Sequence, residues 1–210
     1  MKTRPEPDHH LVVDLEATTS DDGSVPRDAM EPIEIGAVLV RAADGHVIQT
    51  FSTLARPALH PTLHSFCTTL TGITQADVDA APPFPAAFSA FCAAMLEGRG
   101  RVRFASWGSF DRRVLAQACA RHLVEDPLGE GWNLKHAFSR RQGHRARYGL
   151  AAALEMCGLT FEGTPHRALP DAINTARLLP WIIGPERLPK GAGRRSARVS
   201  PAAPRPTPSS

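Results

Sequence analysis

Three short runs of apolar and β-branched residues lie close together near the start of the chain, at residues 11–15, 33–41 and 46–55. Each run has the length and composition of a β-strand. The second and third runs are separated by Asp44-Gly45, a dipeptide that favours a tight hairpin turn. The pattern therefore predicts an antiparallel meander of three strands.

After the meander, apolar residues recur mostly at helical spacing, and two further strand-like segments interrupt the helices. These strands are predicted at residues 102–106 and 132–133. A meander followed by strands that alternate with helices favours a mixed sheet with helices packed on it. The predicted helices cover residues 63–69, 85–96, 110–122, 135–141, 150–157 and 170–183.

The length and composition of the chain suit one globular domain. The chain has 210 residues, of which 42% are hydrophobic and 21% are charged, and this size allows one substantial core. No apolar run approaches the roughly 20 residues that cross a bilayer. The first ten residues also lack the apolar segment of a secretory signal. We therefore expect a cytoplasmic protein.

The four cysteines are far apart in the sequence and form no CxxC pair. Neither a zinc site nor a disulfide framework is indicated by this spacing. We expect reduced and mostly buried thiols at Cys67, Cys92, Cys119 and Cys157.

The excess of positive charge lies at the end of the chain. The net charge is +3, but residues 185–210 hold six arginine or lysine residues and one glutamate, so they carry +5 and the remainder carries −2. This segment is rich in proline, arginine and serine and has little to bury. It predicts a disordered basic tail after a domain at residues 1–184. The tail either adds loose affinity for a polyanion or only keeps the protein in solution.

The segment LVVDLEATT, residues 11–19, ends an apolar strand with two acidic residues. Residues two apart in a strand face the same side, so Asp14 and Glu16 project together, about 6–7 Å apart. The residues before them form a continuous apolar run that suits a strand buried on both faces. Charges at the end of such a strand indicate a bound partner.

Two more carboxylates fall in the first turns of predicted helices. Asp111 follows the strand at 102–106 and the turn SWGSF, in which Ser109 is placed to cap the helix. Asp171 follows Pro170, which suits the start of a helix and disfavours helical geometry at the residue before it. A single acid in such a place is often only a partner of the helix dipole. Four acids at one edge of a sheet would need another explanation.

Such a cluster of carboxylates would require cations. Two like charges 4 Å apart repel by about 4 kcal/mol at an effective dielectric constant near 20. Oxygen ligands without cysteine select hard ions such as Mg²⁺ or Mn²⁺. Two such ions roughly 3.5–4 Å apart can activate an attacking water and stabilise the leaving oxygen of a phosphodiester. We therefore predict a metal site that is formed by Asp14, Glu16, Asp111 and Asp171.

His166 lies five residues before Asp171, on a predicted loop. Histidine has an ordinary pKa of about 6.5, so a neutral ring can take a proton from an attacking water near neutral pH. We predict that His166 is the general base.

Three segments, DLEATT, SWGSFD and HRALPD, resemble the exonuclease motifs of the DEDD superfamily in its DEDDh branch, and they occur in the same order. The spacing of His166 and Asp171 is also similar to that branch. EPIEIGAVLV and TLTGIT are more similar to Eri-type exoribonucleases than to polymerase proofreading subunits. The resemblance covers residues 8–183. It implies an α/β, RNase H-like fold: a mixed five-stranded sheet, with an antiparallel meander and then parallel strands, and helices on both faces.

The resemblance also implies an activity. It is hydrolysis of phosphodiester bonds at the 3′ ends of single-stranded nucleic acid, with two Mg²⁺ ions that Mn²⁺ can replace and with release of nucleoside 5′-monophosphates. Only the resemblance favours RNA over DNA, because no motif fixes a contact to the 2′-hydroxyl. The implied metal ligands are the four carboxylates named above, with His166 as the base.

Further contacts to the terminal nucleotide follow from the same resemblance. Ala17 and Thr18 would meet the nucleotide, and Thr71 and Gly72 would lie across its base and sugar. An ordinary helix-ending turn is the alternative for Thr71-Gly72. Phe66 is expected either to stack on a base or to belong to the core.

Two prolines depart from the family pattern or bear on the histidine loop. Pro170 stands where the family often has an acidic residue, and Pro165 directly precedes His166 and restricts its loop. In the second motif, Trp107 is expected to pack beneath the site.

The segment RRQGHRAR places four arginines beside the expected cleft. Such a cluster suits a track for substrate phosphates. Arginine outnumbers lysine 21 to 3 in this chain, so composition alone can also produce the cluster. Its members are Arg140, Arg141, Arg145 and Arg147.

Two other functions fit part of the sequence. DLEATT loosely resembles the DxDxT motif of haloacid-dehalogenase-like phosphatases, but its second acid is glutamate. For the phosphate-holding lysine of that class, the chain offers only Lys2, Lys135 and Lys190. A non-catalytic nucleic-acid-binding module on the same fold is the other alternative. Turnover of p-nitrophenyl phosphate would indicate the phosphatase, and failure to degrade a labelled strand would indicate the binding module.

Overall fold

A five-stranded sheet forms the centre of the computed structural model, which describes residues 6–188. The strand order is β3-β2-β1-β4-β5. The first three strands pair antiparallel, and β4 and β5 continue the sheet in parallel. The predicted mixed sheet is therefore confirmed. The strands are β1 (His9–Ala17), β2 (Pro32–Arg41), β3 (Val47–Leu54), β4 (Val102–Ser106) and β5 (Trp132–Asn133).

The helices follow the predicted order, but one helix is additional and another is divided. The short helix at Gln75–Ala80 was not predicted, although Thr74 and Asp77 form a capping box at its start. The helix predicted at 170–183 is two helices, because Pro180 has no amide to continue the first one. The bounds are α1 (Ser65–Thr71), α2 (Gln75–Ala80), α3 (Phe84–Leu96), α4 (Phe110–His122), α5 (Leu134–Arg141), α6 (Leu150–Met156), α7 (Ala168–Ala176) and α8 (Leu179–Ile182).

The start of α7 also differs from the sequence prediction. The helix begins at Ala168, so Leu169 is helical and Pro170 is its third residue. The first four amides of an α-helix have no partner within the helix. A proline at this position therefore removes no hydrogen bond, and the prediction that Leu169 lies outside the helix is wrong.

Alternation of side chains along β1 divides the core into two layers. Val13 and Leu15 pack with residues of α3 and α4, whereas Val12 packs on the opposite face with residues of α5 to α8. Because the period of a strand is two, the side chains of Asp14 and Glu16 share the face of Val12. They project on the side of the sheet that carries α5 and α7. The helices cover both faces, as predicted.

The last described residues pack against the domain. The Leu188 amide donates to Gln142 Oε1 at 2.9 Å, and Leu188 contacts the core layer beside α5. The rest of the predicted tail, residues 189–210, lies outside the described residues. Within residues 6–188, no helix is both long enough and apolar enough to cross a membrane.

Gly36 allows α7 to approach the sheet closely. It lies in β2 directly opposite Asp14. A Cβ atom built on Gly36 would overlap the backbone of Ala168 and Leu169 in the first turn of α7. The absence of a side chain therefore brings the start of α7 next to the acidic end of β1.

We predict that Gly36→Ala destabilises the protein by about 3 kcal/mol, because backbone atoms cannot move aside as a side chain would. Gly149→Ala is a matched control, since a Cβ there meets open space and the backbone φ is −61°. This control should lower the free energy of unfolding by less than about 1 kcal/mol. Urea unfolding of both variants measures the difference. Equal stabilities of the two variants would contradict the proposed close approach.

Candidate active site

The structure brings together the four carboxylates that the sequence singles out. Asp14 and Glu16 lie near the end of β1, and the Leu15 amide between them donates to Asp111 Oδ1 at 3.1 Å. Asp111 is in the first turn of α4 and Asp171 is in the first turn of α7. Two helix starts therefore meet the end of one central strand.

His166 joins this group from the loop before α7. Its ring nitrogen and the carboxylate oxygens of Glu16 and Asp171 lie within 4.8 Å of one another. The His166 amide donates to Asp171 Oδ2 at 3.1 Å, and the backbone φ of His166 is 58°. A non-glycine residue in this left-handed region is strained. The hydrogen bond to Asp171 holds the histidine in this conformation.

Burial and mutual repulsion disfavour the charged form of these acids. Burial is the main cause that raises the pKa of Asp14 well above its usual range, and the charges of Asp111 and Asp171 add to it. Burial and the charges of Asp171 and Glu34 raise the pKa of Glu16 to about 8. Burial also raises the pKa of Asp171, against the hydrogen bond from the His166 amide.

Asp111 has more neighbouring groups that favour its ionised form than Asp14, Glu16 or Asp171 has. Burial raises its pKa to about 6, while hydrogen bonds with the Leu15 amide and Ser106 and the charge of Lys135 act in the opposite direction. Ser109 does not cap α4 with its side chain, so this part of the prediction is wrong. Its backbone has φ −117° and ψ 0°, outside the extended conformation that most N-cap residues adopt.

The donor set fits divalent cations. Four carboxylates that repel one another in a partly buried site lose this repulsion when a cation binds between them. All-oxygen ligands match Mg²⁺ and Mn²⁺. The fit rests on the raised pKa values of the acids and on the cluster formed by Glu16, His166 and Asp171.

Glu34 and Arg167 take part in this site, although the sequence analysis did not select them. Glu34 is 2% exposed and lies opposite Glu16 in the sheet. Its carboxylate accepts two hydrogen bonds from the Arg167 guanidinium, at 2.8 and 3.0 Å, and one from the Ala168 amide at 3.0 Å. Glu34 thus holds Arg167, the residue that follows His166, in position. The signal in the sequence was a glutamate within the apolar run IEIGAVLV.

The segment before His166 is anchored from α7 as well. Asn174 is fully buried; its side chain donates to the Glu162 and Pro170 carbonyls and accepts from the Glu162 amide, at 2.8 to 3.1 Å. Arg177 donates to the Thr160 carbonyl at 2.8 Å. The histidine loop is therefore held on both sides of His166.

Ala17 and Thr18 face the protein. Both side chains are less than a tenth exposed. The Thr18 hydroxyl accepts a hydrogen bond from the Glu31 amide at 3.0 Å. The buried Glu31 carboxylate in turn accepts the amides of residues 58–60. These contacts are structural, and the predicted nucleotide contacts of Ala17 and Thr18 stay predictions.

Thr71 and Gly72 form a helix-ending turn. Gly72 has a φ of 72° and its amide donates to the Thr68 carbonyl. The Thr71 side chain is 2% exposed, and its hydroxyl bonds the Cys67 carbonyl and the Ile73 amide. These contacts agree with the ordinary helix-ending turn that the sequence also allowed, and the predicted contacts of Thr71 and Gly72 to the nucleotide stay predictions.

Phe66 and Trp107 differ in their exposure to solvent. Phe66 is 37% exposed on α1, so the expectation of a core position is wrong and its ring remains open to a base. Trp107 is 9% exposed and packs against Phe138, with ring centroids 5.8 Å apart. It lies in the core, as expected.

Only three of the four arginines in the predicted cluster line the same depression of the surface. Arg140, Arg145 and Arg147 line one basin at the end of α5, whereas Arg141 donates to the Gly184 carbonyl at 3.2 Å. Arg141 is therefore not a lining residue of that basin.

Comparisons with known proteins identify the family of this chain. The model of the exonuclease family RNase_T matches residues 11–179. "ERI1 exoribonuclease 2" of Mus musculus is 33% identical over 81% of this chain, and the alignment covers 28% of that protein. "Probable 3′-5′ exonuclease KapD" of Bacillus subtilis is 32% identical, over 82% of this chain and 83% of KapD. The chain spans about 30% of the length of the vertebrate ERI1 exoribonuclease 2 relatives.

Solved structures show the same sheet. The nuclease domain of 3′hExo, a DEDDh family member bound to rAMP, has a TM-score of 0.72 and 29% identity, with 82% of this chain and 90% of that chain covered. A 3′-exonuclease with a histone mRNA stem-loop has a TM-score of 0.76 and 28% identity, with 82% and 62% covered. The mixed five-stranded sheet matches these RNase H-like exonucleases, which confirms the implied fold. The chain belongs to the RNase_T exonuclease family, and its structural neighbours are DEDDh 3′ exonucleases.

Proposed function

We propose that this chain hydrolyses phosphodiester bonds at the 3′ ends of single-stranded nucleic acid, RNA in preference to DNA, and releases nucleoside 5′-monophosphates. The observation that carries the proposal is the convergence of four carboxylates and His166 at the end of β1. Family membership supports it, and so do relatives that are named exoribonucleases. A cytoplasmic location is part of the same proposal.

The four carboxylates would hold two divalent metal ions, Mg²⁺ or Mn²⁺. Bound there, such ions supply a polarised nucleophile and stabilise charge on the leaving oxygen. Asp14, Glu16, Asp111 and Asp171 provide the negative charge that retains them.

His166 removes the proton from the attacking water at a ring nitrogen. Its side chain is exposed, so it can reach a strand end that enters from solvent. The ring lies beside the carboxylates of Glu16 and Asp171, which supports this role. The hydrogen bond of its amide to Asp171 ties the position of the base to the position of a metal ligand.

Digestion of end-labelled strands tests the proposal. The native protein should shorten single-stranded RNA from its 3′ end with Mg²⁺ or Mn²⁺, degrade the matched DNA more slowly, and do neither in EDTA. Asp14→Asn, which keeps the shape of the side chain, should lose at least 100-fold in rate. Metal-dependent binding without any degradation would contradict the exonuclease proposal and indicate a non-catalytic nucleic-acid-binding module.

The raised pKa values predict that the metal-free protein loses stability as the pH rises. An acid whose pKa is raised by folding stabilises the fold while it is protonated, and this contribution is lost as the pH passes the folded pKa. With values of about 6 for Asp111 and about 8 for Glu16, the loss should extend between pH 4 and 8.

In EDTA, the melting temperature should fall by about 5 °C or more from pH 5 to pH 8. Mg²⁺ or Mn²⁺ should raise it more at pH 8 than at pH 5, because bound cations favour the ionised acids. Asp14→Asn should show a smaller decrease in EDTA. A melting temperature that stays constant or rises over this range would contradict the electrostatic description of the site.

We predict that His166→Ala lowers kcat by roughly 100-fold or more, the usual contribution of a general base. At saturating metal, kcat of the native protein should rise over the pH range in which histidine loses its proton, and the variant should lack this rise. His46→Ala, an exposed histidine in the β2–β3 hairpin, serves as the control. Full turnover by His166→Ala would refute the assignment.

A further inference from the structure

A basic basin lies beside the candidate active site. It has a volume of about 620 Å³ and is lined by the end of β5, by α5 and by the loop that follows α5. Its lining includes three arginines and two histidines but no aspartate or glutamate. The lining residues are Trp132, Asn133, His136, Ala137, Arg140, His144, Arg145 and Arg147.

The three arginines of the basin are available to an anion. Arg140, Arg145 and Arg147 are exposed. Within residues 6–188, no salt bridge joins any of them to a carboxylate. By contrast, Arg112 and Arg167 both pair with acidic side chains. The basin thus keeps its positive charge uncompensated.

The basin is connected to the catalytic end of the sheet. Asn133 lines both the basin and a second depression of about 510 Å³, which extends to Ser106 at the end of β4. Ser106 begins the β4–α4 turn that leads to Asp111, and its hydroxyl donates to the Gly108 carbonyl within that turn at 3.2 Å. β5 is two strands away from β1, a distance of about 10 Å. A strand whose 3′ end lies at the carboxylates can therefore reach the basin within a few nucleotides.

The loop after α5, which carries Arg145 and Arg147, is hydrogen-bonded to the turn between β4 and α4. Trp107, between Ser106 and Asp111, donates from its indole nitrogen to the Tyr148 carbonyl at 3.2 Å. The Tyr148 hydroxyl contacts His144 Nδ1 at 3.3 Å. The position of Arg145 and Arg147 is thus linked to the β4–α4 turn through the buried Trp107.

Trp132 is occupied by neighbouring side chains. The Arg103 guanidinium lies 4.0 Å from the centroid of its ring, and the ring of His10 lies 5.5 Å from it. The basin therefore offers cationic groups, with its aromatic ring already in contact with the protein. Contacts of this type bind phosphates and do not read bases.

From this geometry we propose that the basin binds the phosphodiester backbone of the substrate strand upstream of its 3′ end. The proposal rests on the proposed exonuclease function and adds where the strand lies. Binding there depends on charge, is independent of base sequence, and increases the affinity for strands that are long enough to reach the basin.

The test uses the 210-residue chain with Arg140, Arg145 and Arg147 all changed to glutamine. A control variant carries Arg41→Gln, Arg56→Gln and Arg101→Gln, three exposed arginines outside the basin. Both variants lose the same net charge. Binding of fluorescent single-stranded RNA of 4, 8, 12 and 20 nucleotides is measured in EDTA, which prevents hydrolysis, at several salt concentrations.

We expect the basin variant to bind the 20-mer at least 10-fold more weakly than the control variant does. The slope of log K against log salt should decrease by about 2, from roughly 0.7 per lost phosphate contact. The native affinity should rise with strand length, and the basin variant should lose most of this rise. With Mg²⁺, KM for the 20-mer should increase while kcat at saturation stays within twofold.

Two results would overturn the proposal. One is an equal loss of affinity in both variants, which indicates only an effect of net charge. The other is an unchanged salt slope and length dependence in the basin variant. Degradation of the 20-mer by the native protein in the Mg²⁺ measurement separates these results from failure of the exonuclease proposal, which would abolish degradation altogether.

Discussion

The active end of the molecule depends on the repulsion among carboxylates that the fold holds together. Burial raises the pKa of Asp14, Glu16, Asp111 and Asp171, and the charges of the other acids of the cluster raise the pKa of Asp14 and Glu16 further. Packing elsewhere must supply the free energy that keeps them close. The two core layers of the sheet do so, because they fix β1 on both faces. A site of this kind is stable in its ionised form when cations are bound.

The approach of α7 is the second requirement, because this helix supplies Asp171 and positions His166. Three contacts determine its position. Gly36 permits backbone contact with the sheet, Glu34 binds Arg167 and the Ala168 amide, and Asn174 binds the segment before the histidine. Glu34 adds a negative charge beside Glu16, and Arg167 compensates part of it. The same ion pair therefore both orients the helix and limits the repulsion at the site.

Much of the fold was predictable because its signals are local. The apolar runs and the Asp44-Gly45 turn predicted the meander, and strands alternating with helices predicted the parallel part of the sheet. The four acids and His166 were found because charge at a strand end or in a helix start differs from its apolar surroundings. Their gathering in space could be expected only from the sheet topology and from the family resemblance.

The remaining features depend on tertiary contacts that a single sequence does not display. Pro170 is compatible with α7 only because the helix begins two residues earlier, at Ala168, where the Glu34 carboxylate accepts an amide. Arg141 has the same sequence environment as Arg140, yet it turns to the Gly184 carbonyl. The hydroxyls of Thr18 and Thr71 form hydrogen bonds within the protein, and their predicted contacts to the nucleotide stay predictions. For the start of α7 and for Arg141, a partner distant in the sequence determines the outcome.

The backbone of His166 illustrates this dependence. A left-handed conformation costs a non-glycine residue on the order of 1–2 kcal/mol, so the loop would not keep it by its own preference. The amide hydrogen bond to Asp171 and the anchors at Glu162 and Arg167 hold it. All of these partners belong to α7 or are bound by it or by Glu34. The placement of the proposed base is therefore set by the packing of α7 on the sheet, and the same packing brings Asp171 to the other three carboxylates.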